Sequence, residues 1–237
     1  MMSKTATASD FIASLEVHAG ERSPEDVLKH YHGGDPAVSA MGIAFGKVFA
    51  LARKYKTLGL EEINNLLDSH YYEVRMGAVS IMDFQARNKA TSSEHRKKLF
   101  DLYLSRHNRL DNWDFVDRGA MHIVGKFLLD KPRDPLYQLA KSNVPWERRT
   151  AIVATHAFIK MGQLEDTFAI ARMLVGDGHE FVQKAVGSWV REAGKQNEDM
   201  LRYFLDEHVG QMARVTLRYA VEKLDAASKK HYLTIGK

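Results

Sequence analysis

The sequence predicts an all-α fold, an α-solenoid of about five or six stacked helix pairs curved around a basic concave face. Three observations carry that expectation. Apolar residues recur with the helical period along almost the whole chain, and no segment reads convincingly as a strand. Proline is scarce at 5 residues, and Pro132, Pro135 and Pro145 all fall at element boundaries, where a helix tolerates them. A small residue recurs in similar surroundings at Ala78, Ala120, Ala151, Ala185 and Ala220, with steps of 42, 31, 34 and 35 residues. Each step accommodates two helices and a turn, and one helix pair cannot bury its apolar face alone, so successive pairs must stack.

In chain order, residues 1–36 form a helical lead-in with one amphipathic helix around Phe11 to His18. Loop signals follow at Gly20 to Pro24 and at Gly33-Gly34-Asp35-Pro36. The repeat domain runs from 37 to 237, the whole forming one structural domain. Its first helix spans Met41 to Tyr55, with the stripe Ile43, Phe45, Val48, Phe49 and Ala52, and ends near Gly59. Within it, Gly42-Ile43-Ala44-Phe45-Gly46-Lys47-Val48 resembles a phosphate loop only superficially. Its glycines are one residue too close, Val48 stands where a Mg²⁺-binding hydroxyl is needed, and no β-rich run precedes it.

Composition narrows the function. At 237 residues and 45% hydrophobic, the chain supports one large core or one repeat array. It carries 34 Lys+Arg against 30 Asp+Glu, a formal charge of +4, which permits a polyanionic partner without requiring one. The absence of cysteine removes disulfides, thiolate zinc sites and cysteine nucleophiles, and fits a reducing compartment. The first 19 residues hold no apolar core, and no apolar run reaches about 18 residues, so a soluble, cytoplasmic protein is expected. The 11 histidines include no His-Glu-x-x-His pair, so no metal site is expected. No nucleophile elbow, dinucleotide fingerprint or kinase signature occurs, and no cofactor is expected. His122 and His156, in apolar helical surroundings, read as packed or hydrogen-bonded core histidines.

The most informative stretch is Asn112 to Gly125, read as a helix capped by Asp111 or Asn112. Four-residue spacing sets Trp113 and Asp117 on one face, with Cβ atoms about 6 Å apart. Spacing alone favours a packed tryptophan and structural acids over a site. Arg75, Asp117, Arg148 or Arg149, Lys184, Arg191 and Arg218 fall on the stripe that lines the concave face. Trp113, Trp146, Trp189, Tyr203 and Tyr219 interleave with it. Cations for phosphates and rings for bases or sugars suit nucleic acid, while a solvated face of surface ion pairs accounts for the charges equally well.

Three segments together resemble the AlkD-type bacterial DNA alkylation repair glycosylases, which are built from HEAT-like repeats. They are Asn112-Trp113-Asp114-Phe115-Val116-Asp117, Trp146-Glu147-Arg148-Arg149-Thr150-Ala151-Ile152 and Gln183-Lys184-Ala185-Val186-Gly187-Ser188-Trp189-Val190-Arg191-Glu192, within a likeness running from about 38 to 224. The resemblance implies hydrolysis of the N-glycosidic bond of cationic N3- or N7-alkylated purines in duplex DNA, without insertion of the lesion into a deep pocket; a solenoid with a basic groove can do this as a monomer, the expected state. It makes Trp113 the sugar-contacting indole, Asp117 the catalytic carboxylate and Arg149 the active-site arginine. Arg191 matches a further arginine of the site, with Arg148, Lys184 and Arg218 as further DNA contacts.

Two departures stand out. Ser188 occupies the place of a second site tryptophan, and the nearest indole, Trp189, lies one residue on, about 100° around a helix. Trp189 is thus either a substrate contact or core. The helix start at Gly46-Lys47-Val48 lacks the arginines common in the family. These departures keep open a second reading, a non-catalytic solenoid that binds DNA structures or a protein.

Overall fold

The structure, a computed structural model, describes residues 6–235. The described chain is helical throughout, apart from loops and one isolated bridge between Ser39 and Tyr71. It divides into two compact units, Met1–Phe127 and Leu128–Lys237.

In the first unit, local chemistry sets where helices begin. Thr7 opens α1 (Ala8–Glu16) with a reciprocal capping box: its hydroxyl accepts from Asp10 N and its N–H donates to the Asp10 carboxylate at 2.9 Å. Pro24 starts the short α2 (Pro24–Leu28), where its missing N–H costs nothing. The expected helix from Met41 begins only at α3 (Phe45–Lys54). The reason is Glu73, a fully buried carboxylate that accepts the N–H groups of Met41, Gly42 and Ile43 at 2.9 to 3.0 Å. Gly42 sits at φ +79°, and a Cβ there would come within 2.2 Å of Arg22 O. These residues are therefore held as a turn, not as a first helical turn.

α4 (Leu60–Leu67) pairs with α5 (Tyr72–Arg87), and α6 (Ser93–Ser105) packs on the turn that follows α7 (Trp113–Gly119). α5 is the spine of the unit, packed on α3, α4, α6 and α7 and buried along nearly its full length. Several of its buried polar groups reach partners on other segments. Arg75 donates to Asp111 at 2.7 Å and lies over the rings of Tyr31 and Phe115. Asp83 faces Arg87, Arg118 and His122. Gln85 donates to Leu58 O at 2.8 Å. Arg75, expected on an open binding stripe, is thus wholly buried in the core.

Helical backbone runs on from α7 through Ala120–Gly125, but this turn is widened to the π form, with Lys126 N donating to Met121 O at 2.8 Å. His122 there is half-buried, with its Nδ1 2.8 Å from the buried Asp83 carboxylate.

In the second unit, α9 (Pro145–Ala154), α12 (Glu180–Gly194) and α14 (Arg214–Ala220) pack in succession. α8 (Asp134–Ala140), α11 (Glu165–Met173) and α13 (Glu198–His208) lie against them, with the short α10 (His156–Ile159) following α9 and α15 (Ala226–Ile235) closing the chain. The recurring alanines mark the second member of each pair: Ala78 in α5, Ala120 after α7, Ala151 in α9, Ala185 in α12 and Ala220 in α14, all buried. Small side chains let adjacent helices approach. A Cβ on Gly187 would meet Thr216 O at 2.4 Å, so α12 and α14 touch backbone to backbone there. The described helices form the helix-pair repeat read from the sequence.

Because Glu73 satisfies three buried N–H groups at once, Glu73→Ala is expected to cost about 3 kcal/mol or more in urea unfolding, with an unchanged m-value. A cost below 1 kcal/mol would mean that water replaces the carboxylate.

Candidate functional site

α7 is positioned from its first residue. Asn112, expected to cap the helix with its side chain, does not do so. The Asn112 amide instead donates to His30 O, to the Tyr72 hydroxyl and to Asp114 Oδ1 at 2.7 to 3.0 Å, and its oxygen accepts from His32 N at 2.9 Å. The helix start is served by Asp114, whose Oδ1 accepts from Phe115 N at 2.9 Å and whose Oδ2 accepts from the Tyr72 hydroxyl. Burial pushes the Asp114 carboxyl up to about 6, against the lowering effect of its bonds from Tyr72, Asn112 and Phe115 N. Burial and the facing Asp114 raise the Tyr72 hydroxyl far above its ordinary range.

The next two turns present the residues singled out from the sequence. Trp113 is half-buried and donates its indole N–H to His30 O at 3.1 Å, which fixes the ring. Asp117 is exposed. Both line a cleft of about 440 Å³, together with His30, Phe45, Phe49, Met76, Asp114 and Arg118. Arg118 donates to Ser80 at 3.0 Å, lies 3.3 Å from Asp83, and has its guanidinium over the rings of Phe49 and Phe84 at 4.7 and 4.9 Å. Desolvation lowers the pKa of Arg118, opposed by the buried Asp83.

The other candidates lie in the second unit. Arg149 is buried and donates to Phe181 O. Arg148 forms a two-pronged pair with Asp177 at 2.5 and 3.1 Å and donates to Ser142 O. Lys184 pairs with Glu180 at 2.6 Å, and Arg191 with Glu192 and Glu222. Arg218 is exposed on α14. Trp189 is half-buried and stacks on His156 at 4.4 Å, while Ser188 beside it is also half-buried. Trp146, expected along the binding stripe, is core, packed edge-on against His179. Tyr203 is exposed, but on α13, outside the α9–α12–α14 row, because it belongs to the first helix of its pair.

The sequence matches, over residues 13–224, the family described as DNA alkylation repair enzyme. The chain belongs to that family. Two solved structures share the fold. A predicted DNA alkylation repair enzyme from Enterococcus faecalis aligns at TM-score 0.62 and 15% identity, covering 94% of this chain and 99% of its own. AlkD2 from Streptococcus mutans aligns at 0.57 and 19% identity, covering 93% of this chain and 100% of its own. No curated protein matches the sequence. Membership gives this DNA alkylation repair protein a role in DNA repair, with DNA as its substrate. No described helix is long and apolar enough to cross a membrane, and no described group of three or more His, Asp or Glu residues is arranged to hold a metal ion.

Sequence reasoning missed the Tyr72–Asp114–Asn112 frame and the aromatic wall of Phe45 and Phe49. The signal for the wall was present: Val48, Leu51 and Ala52 already supply the buried face of α3, so Phe45 and Phe49 widen its apolar surface beyond what packing needs.

Asp114 gives the site a pH signature. Its folded pKa lies above the unfolded value of about 3.9, so the native state binds the extra proton and stability falls as pH rises from about 4 to 6. Relative to Asp114→Asn, the wild type should lose on the order of 2 to 3 kcal/mol across that window in urea unfolding. Parallel pH profiles would show that Asp114 is ionised from pH 4 upward.

Proposed function

We propose that this protein is a DNA glycosylase that hydrolyses the N-glycosidic bond of cationic N3- or N7-alkylated purines in duplex DNA. The supporting observation is the exposed Asp117 carboxylate beside the fixed indole of Trp113, on one face of α7 and on one cleft wall. Alkylation gives the base a positive charge and makes it a good leaving group. The C1′–N bond breaks with its electron pair passing to the base, and the sugar gains oxocarbenium character. Asp117 stabilises that charge and accepts a proton from the attacking water, which forms the new bond to C1′. The Trp113 face adds cation–π attraction, about 1 to 2 kcal/mol where water is excluded. The leaving base carries its own activation, so the chemistry calls for neither metal nor cofactor.

Phosphate contacts fall to the second unit in this reading. Lys184 and Arg191 are paired with carboxylates at least a quarter exposed, and such pairs contribute little, so phosphate can displace them. Arg218 joins them. Arg148 and Arg149, tied to Asp177 and to Phe181 O, would act mainly by shaping the surface. Those two tethers also favour a second reading, a solenoid that binds DNA without cleaving it.

Single-turnover release of 7-methylguanine from a defined duplex separates the two. Asp117→Asn should slow release by about 10² or more while DNA binding is retained or strengthened. Wild-type release no faster than the spontaneous rate, despite tight binding, would support the binding module. Replacing both Lys184 and Arg191 by Ala should flatten the plot of log K against log salt by roughly 2. An unchanged slope would remove both from the interface.

A further inference from the structure

In the second unit a cleft of about 500 Å³ lies between α11 and α13, on helices outside the α9–α12–α14 row. Its floor is the buried pair Phe168 and Phe204, with ring centroids 5.8 Å apart, and Met200 and Tyr203 stand beside them. The Tyr203 hydroxyl donates to Glu207 at 2.6 Å, yet the residue is 60% exposed, so its ring is held open to water. Apolar surface left wet around a cleft marks an interaction site.

Charge separates the rows of this unit. α11 and α13 carry six carboxylates against two arginines, whereas α9, α12 and α14 carry six lysines and arginines against three carboxylates. Several acids of the first group are engaged: Asp166 with Arg133, Glu198 with Arg202 and Glu207 with Arg172. Glu165 and Asp199, both exposed and both lining the cleft, meet no described cation. Arg172 also lines it, but its guanidinium lies 3.9 Å from Glu207 and donates to His208 at 3.3 Å. An aromatic floor beside two open carboxylates selects a cation that carries apolar surface with it.

We propose that this cleft docks a protein partner through a segment presenting a lysine or arginine next to an apolar side chain. A free polyamine would meet the carboxylates but leave the Phe168–Phe204 floor wet. A second copy of this chain, in a symmetric contact, would set one acidic row against another. DNA belongs to the basic row, so partner and DNA do not compete for a face, and docking is independent of whether the glycosidic bond is hydrolysed.

The test labels the methionine methyl groups of the full chain with carbon-13 and adds N-acetyl-Leu-Arg-methylamide, with the Gln analogue as neutral control. The Met200 resonance, assigned with Met200→Leu, should shift saturably with a Kd on the order of 1 mM, as suits a probe of few atoms, and stay in place with the Gln analogue. Glu165→Gln combined with Asp199→Asn should weaken the Arg probe about tenfold with little change in the urea midpoint, since both side chains are exposed. No saturable shift at Met200, an equal shift with the neutral analogue, or undiminished binding by the double variant overturns the assignment. An equal shift with spermidine would overturn it in favour of a free cation. Self-association in sedimentation that the double variant abolishes would overturn it in favour of a second copy.

Discussion

A carboxylate held out of water, that of Asp114, is the interaction on which the candidate site depends. An isolated buried charge would be prohibitively costly, and this one is sustained by donors from three directions: the Tyr72 hydroxyl from α5, the Asn112 amide and the N–H of Phe115. Asn112 in turn grips His30 O and His32 N in the loop after α2, and the Trp113 indole ends on the same His30 carbonyl. Spine, loop and site helix are thereby joined through one polar knot. Asp117 lies one turn beyond it and is exposed.

The same logic runs along α5, where a helix buried on nearly all sides still carries Glu73, Arg75, Asp83 and Gln85. Each reaches a specific partner, and each contact fixes a different neighbour: the turn before α3, the segment before α7, the Arg118–His122 side of the widened turn, and the loop between α3 and α4 at Leu58. Buried polar groups paired across segments specify one arrangement where apolar contacts would tolerate several. The widened turn at Ala120–Gly125 lies where this network meets the site helix.

Fold class was legible because it rests on periodicity and on the recurring alanines, which report helix–helix approach directly. The pairing of helices followed from the spacing of Ala78, Ala120, Ala151, Ala185 and Ala220. What failed to show was partnership across distance. Arg75 looked like a surface cation because the sequence gives no sign that Asp111, 36 residues on, would meet it in the core. The helix from Met41 was read four residues too early because the competing acceptor for its N–H groups, Glu73, lies some thirty residues away. Trp146 and Tyr203 share the aromatic character of Trp113 but not its place, one being core and the other on the first helix of its pair. Trp113 and Asp117 were legible as a pair, since i,i+4 spacing on a helix is local; the cleft they line was not, because Phe45 and Phe49 come from α3.

The most direct test of this account is a double-mutant cycle between Tyr72→Phe and Asp114→Asn, read as unfolding free energy in urea at pH 7. If the buried Tyr72–Asp114 bond anchors the site helix, the two changes should be non-additive by about 1 kcal/mol or more. Additivity within roughly 0.5 kcal/mol would mean that the two side chains act independently and that α7 is held by packing alone.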